Sequence, residues 1–197
     1  MSNRRLTFIG SILLFAAAAA AQAQDASILK GRWTLNRELS QDIEGRIKEA
    51  AGSQYMTGSG PGWAPPETWL PIGVKFNEAE RLEVRKFLLA AVPLLTELEF
   101  EVSPAEIKTS HGEAGVRIFN LTRPSAGSSG LSGEKVMRQA RWQGKQLVLE
   151  SKGKDSHLIE TITPSTEEKR IVYALHFEAK LLEKPLDLNL VYDRPRP

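Results

Sequence analysis

Cysteine is absent from the 197-residue chain, so neither a disulfide nor a lipid-bearing cysteine can form. Histidine is nearly as scarce, with only His111, His157 and His176. A structural zinc needs about four closely spaced Cys or His ligands, so no metal and no cofactor is expected. The nucleophile signature Gly-x-Ser-x-Gly is also missing, and no catalytic residue is assigned. No internal repeat of solenoid or propeller period is visible. What is present, 41% apolar and 25% charged residues, is the composition of a folded globular chain.

Charge of one sign is lacking too. The chain has 26 Lys and Arg against 24 Asp and Glu, and two of the basic residues, Arg4 and Arg5, lie in a segment that reads as cleavable. Their removal leaves basic and acidic residues equal at 24. A dedicated nucleic-acid binder carries a strong positive excess or a basic stripe, so no nucleic-acid partner is expected.

Long hydrophobic runs are confined to the start. A basic opening, an apolar stretch from Leu6 to Ala21 and the site Ala21-Gln22-Ala23 are the three parts of a secretory signal peptide. The stretch is short of the roughly 20 residues that span a bilayer, so the mature chain is not expected to span a membrane. Residues 1–23 are read as a signal peptide and 24–197 as a single domain. With no cysteine present, the expected location is the bacterial periplasm, with secretion beyond the envelope as the alternative.

The mature chain changes character near Pro93. Before it, Leu29 to Asn36 alternates as a strand. Ser40 is placed to cap a short helix whose Ile43, Ile47, Ala50 and Ala51 share a face, ending at Gly52. Residues 53–73 hold four Gly and four Pro, which no regular element tolerates. A second helix is expected from Asn77, with Glu80 completing a capping box and Val84, Phe87, Leu88, Ala91 and Leu95 forming an apolar stripe.

After Pro93 the period becomes two. Strands are expected near Glu97 to Val102, Glu106 to Ser110, Val116 to Leu121, Lys135 to Trp142, Gln146 to Ser151, His157 to Thr163, Lys169 to Glu178 and Leu186 to Tyr192. Short turns join them, and Ser125 to Gly133 (SAGSSGLSG) reads as a flexible linker. Parallel neighbours need long crossovers, so these strands form an antiparallel meander. Closure into a barrel removes the exposed edges such a meander would leave. The fold class is therefore mainly β: an antiparallel up-and-down barrel of about 8–9 strands, with two helices inserted between the first and second strands. Lys and Glu interrupt the strands, which argues against a membrane-embedded barrel.

Gly31-Arg32-Trp33, at the first strand and ahead of that meander, resembles the lipocalin signature. In that family the Trp closes one end of the barrel against an Arg near the last strand, and Arg194 is the matching candidate here. The runs Ala140-Arg141-Trp142, Gln146 to Glu150, Glu160-Thr161-Ile162 and Val191-Tyr192-Asp193-Arg194 resemble a group of uncharacterised secreted bacterial lipocalin-like (calycin-type) β-barrel proteins. The resemblance implies an architecture and a location, and no reaction.

An eight-stranded barrel leaves room for one small ligand, held mainly by buried apolar surface. The leading expectation is therefore an exported protein that binds a small hydrophobic molecule. Trp63, Trp69 and Phe76 would form its mouth, and Tyr173, Leu175 and Phe177 its wall. Two alternatives stand beside it. One is a cell-envelope interaction module with a filled barrel and a protein partner. The other is an enzyme with a polar lumen, which would need groups such as Glu150, Glu160, His157 and His176 to converge on one cavity. His111 falls in a turn signal and reads as solvent-exposed.

Overall fold

The computed structural model describes residues 27–51, 92–112, 115–128, 135–165, 169–180 and 182–195, with residues 82, 85, 86, 88, 89 and 167. Residues 1–23, the segment 53–73 and Phe76 lie outside them, as do Asn77, Glu80, Val84, Phe87 and Ala91.

Among the described residues ten strands form one sheet: β1 (Gly31–Leu35), β2 (Glu97–Val102), β3 (Glu106–Ser110), β4 (Val116–Asn120), β5 (Ser125–Ser128), β6 (Lys135–Gln143), β7 (Gln146–Lys152), β8 (Ser156–Ser165), β9 (Arg170–Ala179) and β10 (Leu186–Asp193). The order runs β4-β3-β2-β1-β10-β9-β8-β7-β6-β5, and a further pairing of β4 with β6 closes the barrel. Alternation explains the register. In β2 and β10 every second side chain is buried, and these positions face the lumen.

The barrel is mixed rather than purely antiparallel. Asn120 on β4 pairs with Gln139 on β6 in parallel. Topology dictates this: β5 reverses the chain after β4 and β6 reverses it again, so β4 and β6 run the same way where they meet. The Ser/Gly-rich stretch read as a linker supplies β5, whose Ser125 to Ser128 pair with Arg138 to Lys135. Small residues suit this position. A Cβ on Gly127 would fall 2.7 Å from Arg138 Nη1, so the bare glycine leaves room for that guanidinium.

Helix α1 (Ile43–Ala50) follows β1 and buries Ile43, Ile47 and Ala50. Its N-cap is Asp42, not Ser40: the Asp42 carboxylate accepts from the Gly45 N–H at 3.1 Å. Ser40 instead donates to the Asn36 carbonyl and accepts from the Val191 N–H, which ties the post-β1 segment to β10. The helix ends at Ala50 with Ala51 as its cap, and the β9–β10 turn docks there through Glu183 N–H to the Ala50 carbonyl. α1 therefore sits at the barrel end that carries this turn. Residues 82, 85, 86, 88 and 89 are helical, and Leu88 joins the core beside Leu89, Val92 and Leu95. Val92–Thr96 form a short 3-10 helix leading into β2. Among the described residues no helix is long and apolar enough to cross a membrane.

Candidate functional site

At one end of the barrel the lumen is closed by side chains. Trp33, Leu98, Ile107, Phe119, Leu147, Leu149, Ile162 and Ile171 are fully buried, so no water-sized space adjoins them. Arg194 lies over the Trp33 ring at 4.4 Å from its centroid and donates to the carbonyls of Ile28 and Lys30. Gly31 adopts φ 109°, a left-handed backbone that suits glycine, and a Cβ there would touch Arg194 Nη1 at 3.4 Å. The Trp33 indole N–H donates to Leu29 at 2.8 Å.

In from this plug lies a buried polar cluster drawn from β3, β4, β8 and β9. Arg117 forks onto Glu160, with Nη1 to Oε2 at 2.8 Å and Nη2 to Oε1 at 2.7 Å. The Tyr173 hydroxyl also donates to Glu160 Oε1. Arg117 Nη2 reaches His111 Nε2 at 2.9 Å. A guanidinium only donates, so Nε2 accepts and the His111 proton sits on Nδ1. Glu160 is 1% exposed and His111 8%, while the Arg117 side chain retains 22%. His111 is thus a lumen residue and not an exposed turn residue, because it continues the inward face of Ile107 and Thr109 one step past the end of β3. The Tyr173 ring meets His111 edge-on at 6.1 Å and Tyr192 at 5.9 Å. Arg117 and Arg138 both approach the Phe119 ring, at 5.5 and 5.9 Å from its centroid.

Electrostatics fixes the charge states. Burial would raise the Glu160 carboxyl, but the Arg117 charge and its hydrogen bonds hold it below the usual carboxylate range. Burial alone would lower Arg117, yet Glu160 holds it above its ordinary value. Burial, together with Arg117, pulls His111 down to about 4 and keeps it neutral. Burial and the facing Glu160 push the Tyr173 hydroxyl well up, so it stays a donor. For Arg138, half-buried beside this group, burial and then Arg117 press the guanidinium below its ordinary value.

The candidate acid and base groups do not converge. Glu160 opposes Leu149 and Leu175 and points inward, whereas Glu150, one position out of phase, points out with His157 and His176. These three join a chain of polar contacts on the outer face. Arg141 meets Glu150 at 2.8 Å, Glu150 meets His157 at 2.9 Å, and His176 lies between Asp187 at 2.6 Å and Glu178 at 3.2 Å. Among the described residues no group of three or more His, Asp or Glu could hold a metal ion.

Tyr173, Leu175 and Phe177 share the inward face of β9 and belong to the core or pack against it. Toward the α1 end the lumen wall changes. Leu158 opposes Phe177 and Leu175 opposes Glu160, and both leucines are only partly buried, unlike the residues of the plug. Trp63, Trp69 and Phe76 lie outside the described residues. Sequence reading missed Arg117, His111 and Thr109 as lumen residues. The available signal was the inward register that they share with Phe100, Ile107 and Phe119.

No family model and no curated protein matches the chain. Solved structures do. A fatty-acid-binding protein of Schistosoma mansoni, solved in complex with arachidonic acid, is 8% identical, covers 87% of this chain and 99% of its own, and has a TM-score of 0.51. Fatty-acid-binding protein 1 of Echinococcus granulosus is 10% identical over 86% of this chain and 99% of its own, with a TM-score of 0.49. Human cRBP IV is 15% identical over 85% of this chain and 98% of its own, with a TM-score of 0.48. At such identities the likeness concerns the fold alone: a calycin-like β-barrel.

Proposed function

We propose that this chain is an exported carrier of a small hydrophobic molecule, which it holds in the α1 half of its barrel. The observation that carries the reading is the contrast within one lumen. The Trp33 end is sealed, while Leu158 and Leu175 stay partly uncovered between the polar cluster and α1. Inward apolar surface kept uncovered is the requirement for affinity in a barrel, at roughly 25 cal/mol per Å² that a ligand buries. The similarly folded Schistosoma mansoni protein was solved in complex with arachidonic acid, and that likeness of fold supports the reading. Tyr173, Leu175 and Phe177 line the wall, and Trp63, Trp69 and Phe76 remain the proposed mouth.

Export rests on the sequence: the basic start, the apolar stretch and Ala21-Gln22-Ala23 support a cleaved leader over 1–23, a single domain over 24–197 and a periplasmic location. Titration of the purified protein with neutral, anionic and aromatic hydrophobic probes, followed by Trp emission, tests the binding. A saturable response that Leu175→Glu abolishes without loss of the β-sheet circular dichroism is expected. Silence across all three probe classes would contradict the reading.

A further inference from the structure

The lumen contains a carboxylate of its own, and its position bears on which ligand the barrel accepts. Both terminal nitrogens of Arg117 and the hydroxyl of Tyr173 are directed at Glu160, and Arg117 Nη2 also serves His111. Register places Leu175 directly across from Glu160 and Leu158 across from Phe177. An apolar chain lying on Phe177, Leu158 and Leu175 therefore leads its polar end toward the Glu160 carboxylate. We propose that Glu160 is a specificity-determining residue: its carboxylate occupies the Arg117 and Tyr173 donors that an acidic ligand would use, so the barrel selects neutral hydrophobic molecules over their anionic counterparts.

A second carboxylate brought into this cluster would face the first at close range in a poorly solvated site, where like charges repel strongly. Relief by protonating Glu160 is opposed by Arg117, which favours the charged form. Two neutral groups in the cluster, the Thr109 hydroxyl and the His111 Nδ1–H, have buried atoms without a hydrogen-bond partner. Their register beside Arg117 places them at the same level of the barrel, and they suit an alcohol or carbonyl oxygen that carries no charge. Repulsion of the wrong ligand, added to fit for the right one, is how a site discriminates between molecules that share one tail.

This inference rests on the proposed binding function, and a single experiment separates the two. Dodecanol and dodecanoate, which differ only in the head group, are titrated against the purified protein near neutral pH and against Glu160→Gln. The wild type is expected to hold dodecanol at least about tenfold tighter than dodecanoate. Glu160→Gln frees Arg117, and dodecanoate should then gain about tenfold or more while dodecanol changes little. Adding Arg117→Gln to that variant should remove the gain; an equal gain in the double variant would overturn the role given to Arg117. Equal or tighter binding of dodecanoate by the wild type would overturn the proposal without reference to any variant, including one that folds poorly. Failure of the wild type to bind either molecule would instead overturn the binding function itself.

Discussion

The two faces of strands β7 to β9 each carry carboxylates beside cations, and they use them in opposite ways. Inside, Glu160 is buried with Arg117, Tyr173 and His111 around it. Outside, Glu150, His157, Glu178 and His176 form a chain of polar contacts on the solvent face, continued by Arg141 and Asp187. Burial turns a pairing that solvent would make nearly neutral into one on which stability depends. Breaking a buried pair strands a charge, whereas breaking an exposed one returns its members to water.

Glu160→Ala or Arg117→Met should therefore produce the largest effect, a loss of about 3–5 kcal/mol in denaturant unfolding. Replacing the pair together, as Arg117→Met with Glu160→Leu, should recover most of that loss, because no charge remains buried. If the double variant is as unstable as the singles, the cost lies in packing and not in charge.

A second contrast is the response to acid. His111 stays neutral in the fold, pulled from 6.5 to about 4 by burial and Arg117. Between those values the unfolded chain takes up a proton that the folded one refuses, so stability falls as pH drops through that window, by about 3 kcal/mol in all. Glu160, held low, adds a further loss as pH falls through its folded value. His176 acts in the opposite sense. Hydrogen bonds to Asp187 and Glu178 raise it, so its contribution is present at low pH and disappears as pH rises through its folded value. Being exposed, it contributes under about 1 kcal/mol. Unfolding curves of wild type and His111→Gln from acid to neutral pH would show the steep limb and its flattening. An unchanged slope in the variant would place the acid sensitivity elsewhere.

Tyr173→Phe should cost about 2 kcal/mol, the worth of a hydrogen bond to a charged group, and guanidinium melts would measure it. The smallest effect is on the outer face. Glu150→Gln or His176→Asn should shift stability by less than about 1 kcal/mol, and less again in high salt. A shift of several kcal/mol would mean that the outer chain acts as a network comparable to the inner one.

The same contrast explains what the sequence reveals. Long strands with two-residue periodicity, β6 to β10, stand out because their turns carry Gly, Pro or Asp and their alternation is regular. The strand β5 does not, since Ser-Ala-Gly-Ser has the composition of a linker and is selected by the guanidinium beside it. In β4 the pattern Val-Arg-Ile-Phe-Asn suggests that Val116 and Ile118 face inward. They are instead 62% and 43% exposed, because Phe119 takes the core and brings Arg117 in with it. That inversion hid the polar cluster: a charged residue on an amphipathic strand reads as solvated, and only its partner on β8, 43 positions along the chain, makes burial affordable. Trp33 with Arg194 was legible because a short motif and a position after the last strand met at one place.

A ligand is expected to enter the α1 half of the lumen and to stop at the Glu160 cluster. Methyl NMR of leucine-labelled protein during titration with dodecanol would report where it binds. Saturable shifts are expected at Leu158 and Leu175, with the sealed Leu98 and Leu147 and the exposed Leu39 unmoved. Shifts confined to Leu39, or none at Leu158 and Leu175 at saturation, would contradict it.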